Sequence, residues 1–280
     1  MIEERQVSET LGITKHILDV VARLQSSLGE ERFLRSMSGK ITQVDLSGVE
    51  NLLGVYFADR DLGRIALSPW AFGFSRLEFL GDAVLGLAVF SMGELAGLPR
   101  RISISRVANH HLDEVFDDLF APHTSANTGD VIEALIGAIY LDIGFDGAAT
   151  VAAQLCLPEL DPLKPATSNE AIASVNTRGL AFVGSAVLSA SVADDLCIKY
   201  PEELHQWLSE ERSELLSRRH LATMSAELGY VPDGDLDDAV YRASASDALE
   251  AVLGDQYLHW GWEEARSSAM RIVRPPAPDR

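Results

Sequence analysis

The stretch SRLEFLGDAVLGLAVF, residues 75–90, decides the fold together with GDVIEALIGAIYLDIGF, which begins at Gly129. Both stretches are strongly apolar with helical period, and neither alternates apolar and polar residues as a half-buried strand does. Further segments with the same period are found at residues 13–24, 46–57, 112–120, 187–196, 203–228 and 245–258. The sequence therefore predicts an all-α protein.

Four carboxylates lie on these two predicted helices. Glu78 and Asp82 are four residues apart on the first, so they project from one face of it. Asp130 and Glu133 are three apart on the second and do the same. Charges among apolar neighbours are costly unless they are paired or bound to a cation. Oxygen ligands without His or Cys suit Mg²⁺ or Mn²⁺ rather than zinc. The pattern therefore favours a hard-cation site, and the alternative is that each acid lies at the solvent edge of an amphipathic helix.

The composition indicates a folded protein with an unusual charge. The chain has 280 residues, 47% of them hydrophobic, which favours two domains with substantial cores. Cys156 and Cys197 have no disulfide-framework or zinc-ligand spacing, and no run of 18 apolar residues or N-terminal apolar segment is present. We therefore expect a cytoplasmic protein without a membrane partner. The net charge of −19 disfavours a nucleic-acid partner, because such binders usually have basic surfaces.

A proline-containing linker divides the chain into two lobes that resemble each other. Three prolines between residues 157 and 165 break helical continuity. SDALEAVLGDQYLHWGWEEA, from Ser246, shares eight residues in register with the segment from Gly129. We predict five parts: an N-terminal helical extension (1–45), a first lobe (46–156), a linker (157–174), a second lobe (175–270) and a tail (271–280).

The internal repeat also aligns RLEFLGDAVL, from Arg76, with GLAFVGSAVL, from Gly179. Ala181 and Ser185 then stand where the first lobe has its first acidic pair, whereas Asp247 and Glu250 match the second pair. The second lobe therefore keeps half of the acids.

Glycines recur inside the apolar helices of both lobes. Gly81, Gly86 and Gly137 lie in the first lobe, and Gly184 and Gly254 take equivalent places in the second. Glycine costs about 1 kcal/mol relative to alanine inside a helix. We expect close helix approach to compensate for this cost.

The first lobe resembles the ribonuclease III family over nearly its whole length. Residues 75–90 resemble the family's signature helix, and the segment from Gly129 resembles its second acidic helix. SRVANHHLDEVFDDL, residues 105–119, resembles the middle helix, with Asn109 at a family-like position, and residues 46–67 resemble the opening helices. The second lobe resembles the same domain more faintly, most clearly in LSEERSELLSRRHLATMSAELGY and SDALEAVLG.

This resemblance implies an endonuclease for double-stranded RNA that leaves a 5′-phosphate and a 3′-hydroxyl. Glu78, Asp82, Asp130 and Glu133 would be its catalytic acids and would bind Mg²⁺ or Mn²⁺. In the family, two such domains pair around one valley, and each cuts one strand. Here the two lobes would form an intramolecular pseudo-dimer, and a homodimer is a further option. With a degenerate second site, we expect one active centre and nicking.

Two groups of arginines are candidates for binding phosphates: Arg100, Arg101 and Arg106 in the first lobe, and Arg212, Arg218 and Arg219 in the second. Asn109 joins them by its family-like position. Arginines on a helix surface also commonly pair with nearby acids, and this alternative remains open.

Departures from the family favour other functions. Only RIVRPPAPDR follows the second lobe, so we expect no double-stranded-RNA-binding domain, and Ser75 replaces an acidic residue usual before the signature arginine. A scaffold repurposed for metal-dependent chemistry on a non-nucleic-acid substrate is one alternative. A non-catalytic RNA-binding or assembly protein is another.

Overall fold

The computed structural model describes residues 46–120, 128–160 and 169–274. Within these ranges the chain forms thirteen α-helices and no strand, which confirms the all-α prediction. The helix predicted at residues 13–24 lies outside the described residues. In chain order the helices are α1 (Leu46–Leu53), α2 (Arg60–Ala66), α3 (Phe74–Leu95), α4 (Arg100–Arg106), α5 (Asn109–Phe120), α6 (Gly129–Ile143), α7 (Phe145–Cys156), α8 (Asn169–Ser174), α9 (Thr177–Lys199), α10 (His205–Leu215), α11 (Arg218–Glu227), α12 (Ala239–Trp260) and α13 (Trp262–Val273).

The core of the first lobe is a close crossing of α3 and α6. A Cβ atom on Gly81 would lie 1.7 Å from the carbonyl oxygen of Glu133, and one on Gly137 would lie 2.1 Å from that of Leu77. The two backbones therefore touch, which confirms the close approach predicted for these glycines. The prediction is wrong for Gly86, because the nearest atom to its Cβ position is in the Phe90 ring, 3.8 Å away.

The second lobe repeats this crossing with α9 and α12. A Cβ atom on Gly184 would lie 1.7 Å from the carbonyl oxygen of Glu250, and one on Gly254 would lie 2.0 Å from that of Leu180. These are the positions that the internal repeat aligns with the glycines and carbonyls of the first lobe. The two lobes therefore share one helix crossing, built from glycines at matching places.

The lobes pack together through α3 and α9, and their polar contacts are reciprocal. Tyr257 of α12 lies with its hydroxyl 3.4 Å from the Ser91 hydroxyl of α3. At the matching positions, Tyr140 of α6 lies beside the carboxylate of Asp194 on α9. Asp194 is buried and forms an ion pair with Arg266, which balances its charge. Each lobe therefore contributes one tyrosine that contacts an equivalent position on the other lobe.

Aromatic rings close the interface where α7 and α13 meet. Phe145 stacks on Trp262 with 4.9 Å between ring centroids and 18° between planes. These residues also occupy matching positions, each one directly after a glycine with a positive φ, Gly144 and Gly261. Trp262 is buried, in line with a core role, whereas Trp260 is 64% exposed.

Several helix boundaries differ from those predicted. The helix predicted at 203–228 is two helices, because the Ser217 hydroxyl caps α11 by accepting from the His220 N–H. The predicted linker at 157–174 includes α8, whose Ile172 is buried. Helix α7 was missed because half of its buried positions are alanines, which give a weak hydrophobic period.

By length and composition α9 is the one described helix that could cross a membrane, but 78% of its most apolar window is buried inside the protein. Its apolar surface is thus used for packing against α12 within the second lobe and against α3 of the first. Both cysteines are free and buried.

Candidate metal centre

The α3–α6 crossing brings three of the predicted acids together. Glu78, Asp130 and Glu133 each offer a carboxylate oxygen, and these atoms all lie within 4.8 Å of one another. Gly81 lies one turn after Glu78 and packs on the backbone of Glu133, so the absence of a side chain there sets the separation of the acids. The close helix crossing at the glycines therefore also positions the acids of the cluster.

The cluster is partly buried and carries excess negative charge. Glu133 is only 7% exposed. Burial, and then the charges of Asp82, Asp130 and Glu78, raise the pKa of Glu133 from 4.5 to about 8. Burial, followed by the charges of Asp130 and Asp82, raises the pKa of Glu78 from 4.5 to about 7. Crowded oxygen ligands that hold protons this tightly fit a divalent cation, which would relieve their repulsion.

Asp113 of α5 supports the cluster from outside, although it was not among the residues predicted from the sequence. Its Oδ1 accepts hydrogen bonds from the Thr128 hydroxyl at 2.6 Å and from the Gly129 N–H at 2.7 Å. It thereby anchors the first turn of α6, on which Asp130 lies. Burial, and then the charge of Asp113, raise the pKa of Asp130. No spacing in the sequence distinguishes Asp113 from the surface acids beside it.

Asp82 lies beside the three-acid cluster and contacts the other lobe. Its side chain is 52% exposed, and its Oδ2 is 3.4 Å from both Nη atoms of Arg212, on α10 of the second lobe. The guanidinium of Arg212 also lies over the Phe79 ring, 4.4 Å from its centroid. The sequence placed Arg212 in a basic cluster, but it could not show that this residue reaches the acids of the first lobe.

The other candidate phosphate-binding residues either pair with acids or are exposed. Several already pair with acids: Arg100 with Glu94 at 2.5 Å, Arg106 with Glu159 at 3.1 Å, and Arg219 with Asp237. Three are exposed: Arg101, Asn109 and Arg218.

The equivalent place in the second lobe has lost its first acidic pair. Ala181 is buried, and the Ser185 hydroxyl donates to the Phe182 carbonyl at 3.0 Å. Burial, and then the charge of Asp247, raise the pKa of Glu250 to about 7, while Arg218 opposes this rise. Within the described part of the chain, no group of three potential ligands forms in this lobe.

Several curated proteins named Ribonuclease 3 are similar to this chain. The protein of Methylocella silvestris is 34% identical over 148 residues, which cover 43% of this chain and 63% of that protein. That of Dechloromonas aromatica is 35% identical over 133 residues, 39% of this chain and 60% of the relative. That of Pseudomonas aeruginosa is 34% identical over 151 residues, which cover 45% of this chain and 65% of that protein. No protein-family model matches the chain.

Fold and site together define an all-α protein with an acidic site suited to hard cations. These relatives confirm that the chain resembles the ribonuclease III family. The chain spans less than two thirds of the length of these relatives.

Proposed function

We propose that this protein is a metal-dependent endoribonuclease that nicks double-stranded RNA at one acidic centre. The observation that carries the proposal is the convergence of Glu78, Asp130 and Glu133 within 4.8 Å, on the two helices that resemble ribonuclease III most closely. Its relatives named Ribonuclease 3 support the class of reaction.

The proposed roles follow from position and charge. Glu78, Asp130 and Glu133 would hold Mg²⁺ or Mn²⁺, with Asp82 at the exposed side as the fourth acid. A cation bound there would polarise the scissile phosphate and favour attack by water. The buried carboxylate of Glu133 would fix the ligand geometry, because the α3–α6 crossing leaves it little freedom. Asp113 would keep Asp130 in place by anchoring the first turn of α6.

The lobes are proposed to form an intramolecular pseudo-dimer with the domain limits predicted from the sequence. The reciprocal tyrosine contacts and the two matching glycine crossings support this arrangement. Ala181 and Ser185 remove two of the four acids from the second centre, so only one strand would be cut. A homodimer that adds a second complete centre would instead cut both strands. A cytoplasmic location without a membrane partner remains a prediction.

Incubation of the full chain with end-labelled duplex RNA tests the proposal. With Mg²⁺ or Mn²⁺, a denaturing gel should show shortened strands while a native gel still shows the full-length duplex. EDTA should abolish the cut. Double-strand fragments would contradict nicking by a single centre and favour the homodimer, and an intact duplex under all metal conditions would contradict the nuclease.

The variant Asp82→Asn should slow nicking by about tenfold to hundredfold, because it removes the charge of one acid but preserves its shape. Ser185→Ala is the matched control at the equivalent position of the second lobe. We expect it to nick like the wild type, since that hydroxyl contacts only the backbone of its own helix in the described structure. Equal slowing in both variants would argue for a structural cause.

A second candidate function is metal-dependent chemistry on a substrate other than nucleic acid. It is favoured by the net charge of −19 and by the pairing of Arg100, Arg106 and Arg219 with acids, which leaves fewer cations for phosphates. Calorimetric binding of Mn²⁺ that requires Glu133, in a protein that leaves duplex RNA intact, would select this candidate. Absence of metal binding would leave a non-catalytic role.

A further inference from the structure

Each lobe places an arginine over a phenylalanine of the other lobe, and the two phenylalanines occupy equivalent positions. Arg212 of the second lobe lies over Phe79, the residue after Glu78 on α3. Arg100 of the first lobe lies over Phe182, 5.7 Å from its ring centroid. Phe79 and Phe182 are equivalent in the internal repeat, so the two arginines approach equivalent centres from opposite lobes.

The two arginines differ in the acid that they contact. Arg212 faces Asp82, 3.4 Å away, at the centre that keeps all four acids. At the other centre Ser185 replaces that acid, and Arg100 instead pairs with Glu94 at 2.5 Å. The arginine supplied by the opposite lobe therefore contacts an acid of the centre only in the first lobe, where all four acids are kept.

The contact with Asp82 leaves Arg212 able to bind a further group. Both of its Nη atoms are directed to one oxygen, Oδ2, at a distance longer than usual for a charge-assisted hydrogen bond. The side chain is 21% exposed. Packing on Phe79 holds the guanidinium plane at the edge of the acidic cluster, where the phosphate of a substrate would approach. A guanidinium presents paired N–H groups that suit phosphate oxygens.

We propose that Arg212 is a substrate-binding residue which the second lobe supplies to the acidic centre of the first. This inference rests on the proposed nuclease function. Without substrate, Arg212 neutralises Asp82. With substrate, it releases Asp82 to the cation and binds a non-bridging oxygen of the phosphate. The second lobe thus contributes to the reaction although it has lost its own centre.

Metal affinity and nicking rate should change in opposite directions when Arg212 loses its charge. Arg212→Gln removes a positive charge next to the cation site, so Mn²⁺ should bind about threefold to tenfold more tightly in calorimetry. The same variant should lose about tenfold to hundredfold in the nicking rate at saturating Mn²⁺, because the phosphate contact is missing. A general disturbance of the fold would weaken both.

Two further variants separate charge from shape. Arg212→Lys keeps the charge, so its Mn²⁺ affinity should stay within about twofold of wild type, while nicking recovers only partly because an ammonium cannot form the paired contact. Arg100→Gln is the control for metal affinity, since Arg100 approaches the incomplete centre. Its Mn²⁺ affinity should equal that of the wild type.

The outcomes distinguish this inference from the proposed function. If the wild type binds Mn²⁺ and nicks RNA but Arg212→Gln behaves identically, or loses affinity as well as rate, the role of Arg212 is overturned and the nuclease stands. If the wild type neither binds Mn²⁺ nor nicks, both are overturned. Tighter metal binding with slower nicking, partly rescued by Lys, supports the inference.

Discussion

Glu133→Gln should abolish nicking, by about a thousandfold or more, and at the same time stabilise the metal-free protein at pH 8.5. Activity falls because the most buried acid of the centre no longer carries a charge for the cation. Stability rises because the same charge is unfavourable in the folded, metal-free chain, where burial and three neighbouring carboxylates raise the pKa of Glu133 to about 8.

The sign of this effect follows from proton linkage. Between pH 4.5, the usual pKa, and pH 8, folded Glu133 keeps a proton that the unfolded chain releases. Glu133 therefore lowers the free energy of unfolding progressively as the pH rises through this window. Glutamine cannot ionise, so Glu133→Gln should raise the melting temperature in EDTA by roughly 3–8 °C at pH 8.5 and by much less at pH 5.

Glu250→Gln is the matched control, because Glu250 takes the same place in the second lobe. Its pKa is raised to about 7, so the substitution should stabilise the metal-free protein at pH 8.5 by a smaller amount. Nicking should continue. If Glu133→Gln nicks at the wild-type rate, the carboxylate is not a cation ligand; if it melts lower than the wild type at pH 8.5, the charge crowding is not unfavourable.

Gly81→Ala should destabilise the protein by at least about 3 kcal/mol, among the largest effects of a single methyl group. The added Cβ would lie 1.7 Å from the Glu133 carbonyl oxygen, and backbone on both sides leaves no flexible side chain to move away. The helices would have to separate, and the acids that they carry would separate with them. Urea unfolding followed by circular dichroism measures the loss, and calorimetry should show weaker Mn²⁺ binding.

Gly86→Ala provides the control on the same helix. Its Cβ position has no atom closer than 3.8 Å, so the alanine should fit and raise the free energy of unfolding by about 0.5–1 kcal/mol through better helix propensity. Equal destabilisation by both alanines would show that the crossing is not the cause. Gly184→Ala should behave like Gly81→Ala, because the second lobe has the same contact.

Most of the features that the sequence predicted depend on residues close to one another in the chain or on the internal repeat. The spacing of the acids on two apolar helices predicted that four carboxylates converge, since residues three or four apart share a helix face, and the structure brings three of them within 4.8 Å of one another. The repeat identified the glycines of both crossings. Gly86 was misjudged because sequence alone does not distinguish a glycine at a backbone contact from one that merely tolerates its place.

What the sequence could not predict depends on contacts between distant segments. Arg212 reaches Asp82 only because α10 packs on α3, and nothing near either residue encodes that packing. Asp113 anchors α6 from another helix, in a segment with several other acids. The division between α10 and α11 depends on one serine cap, a weak signal beside the helical period around it.

The reciprocal tyrosine contacts have a consequence for how such a protein can change. In a dimer of identical subunits a substitution appears twice, so both halves of the interface must accept it. Here Tyr257 meets Ser91, whereas Tyr140 meets the buried ion pair of Asp194 and Arg266. When the two halves are covalently linked in one chain, a substitution affects only one of them, so the two can diverge: the first lobe keeps four acids, while the second is free to become its scaffold.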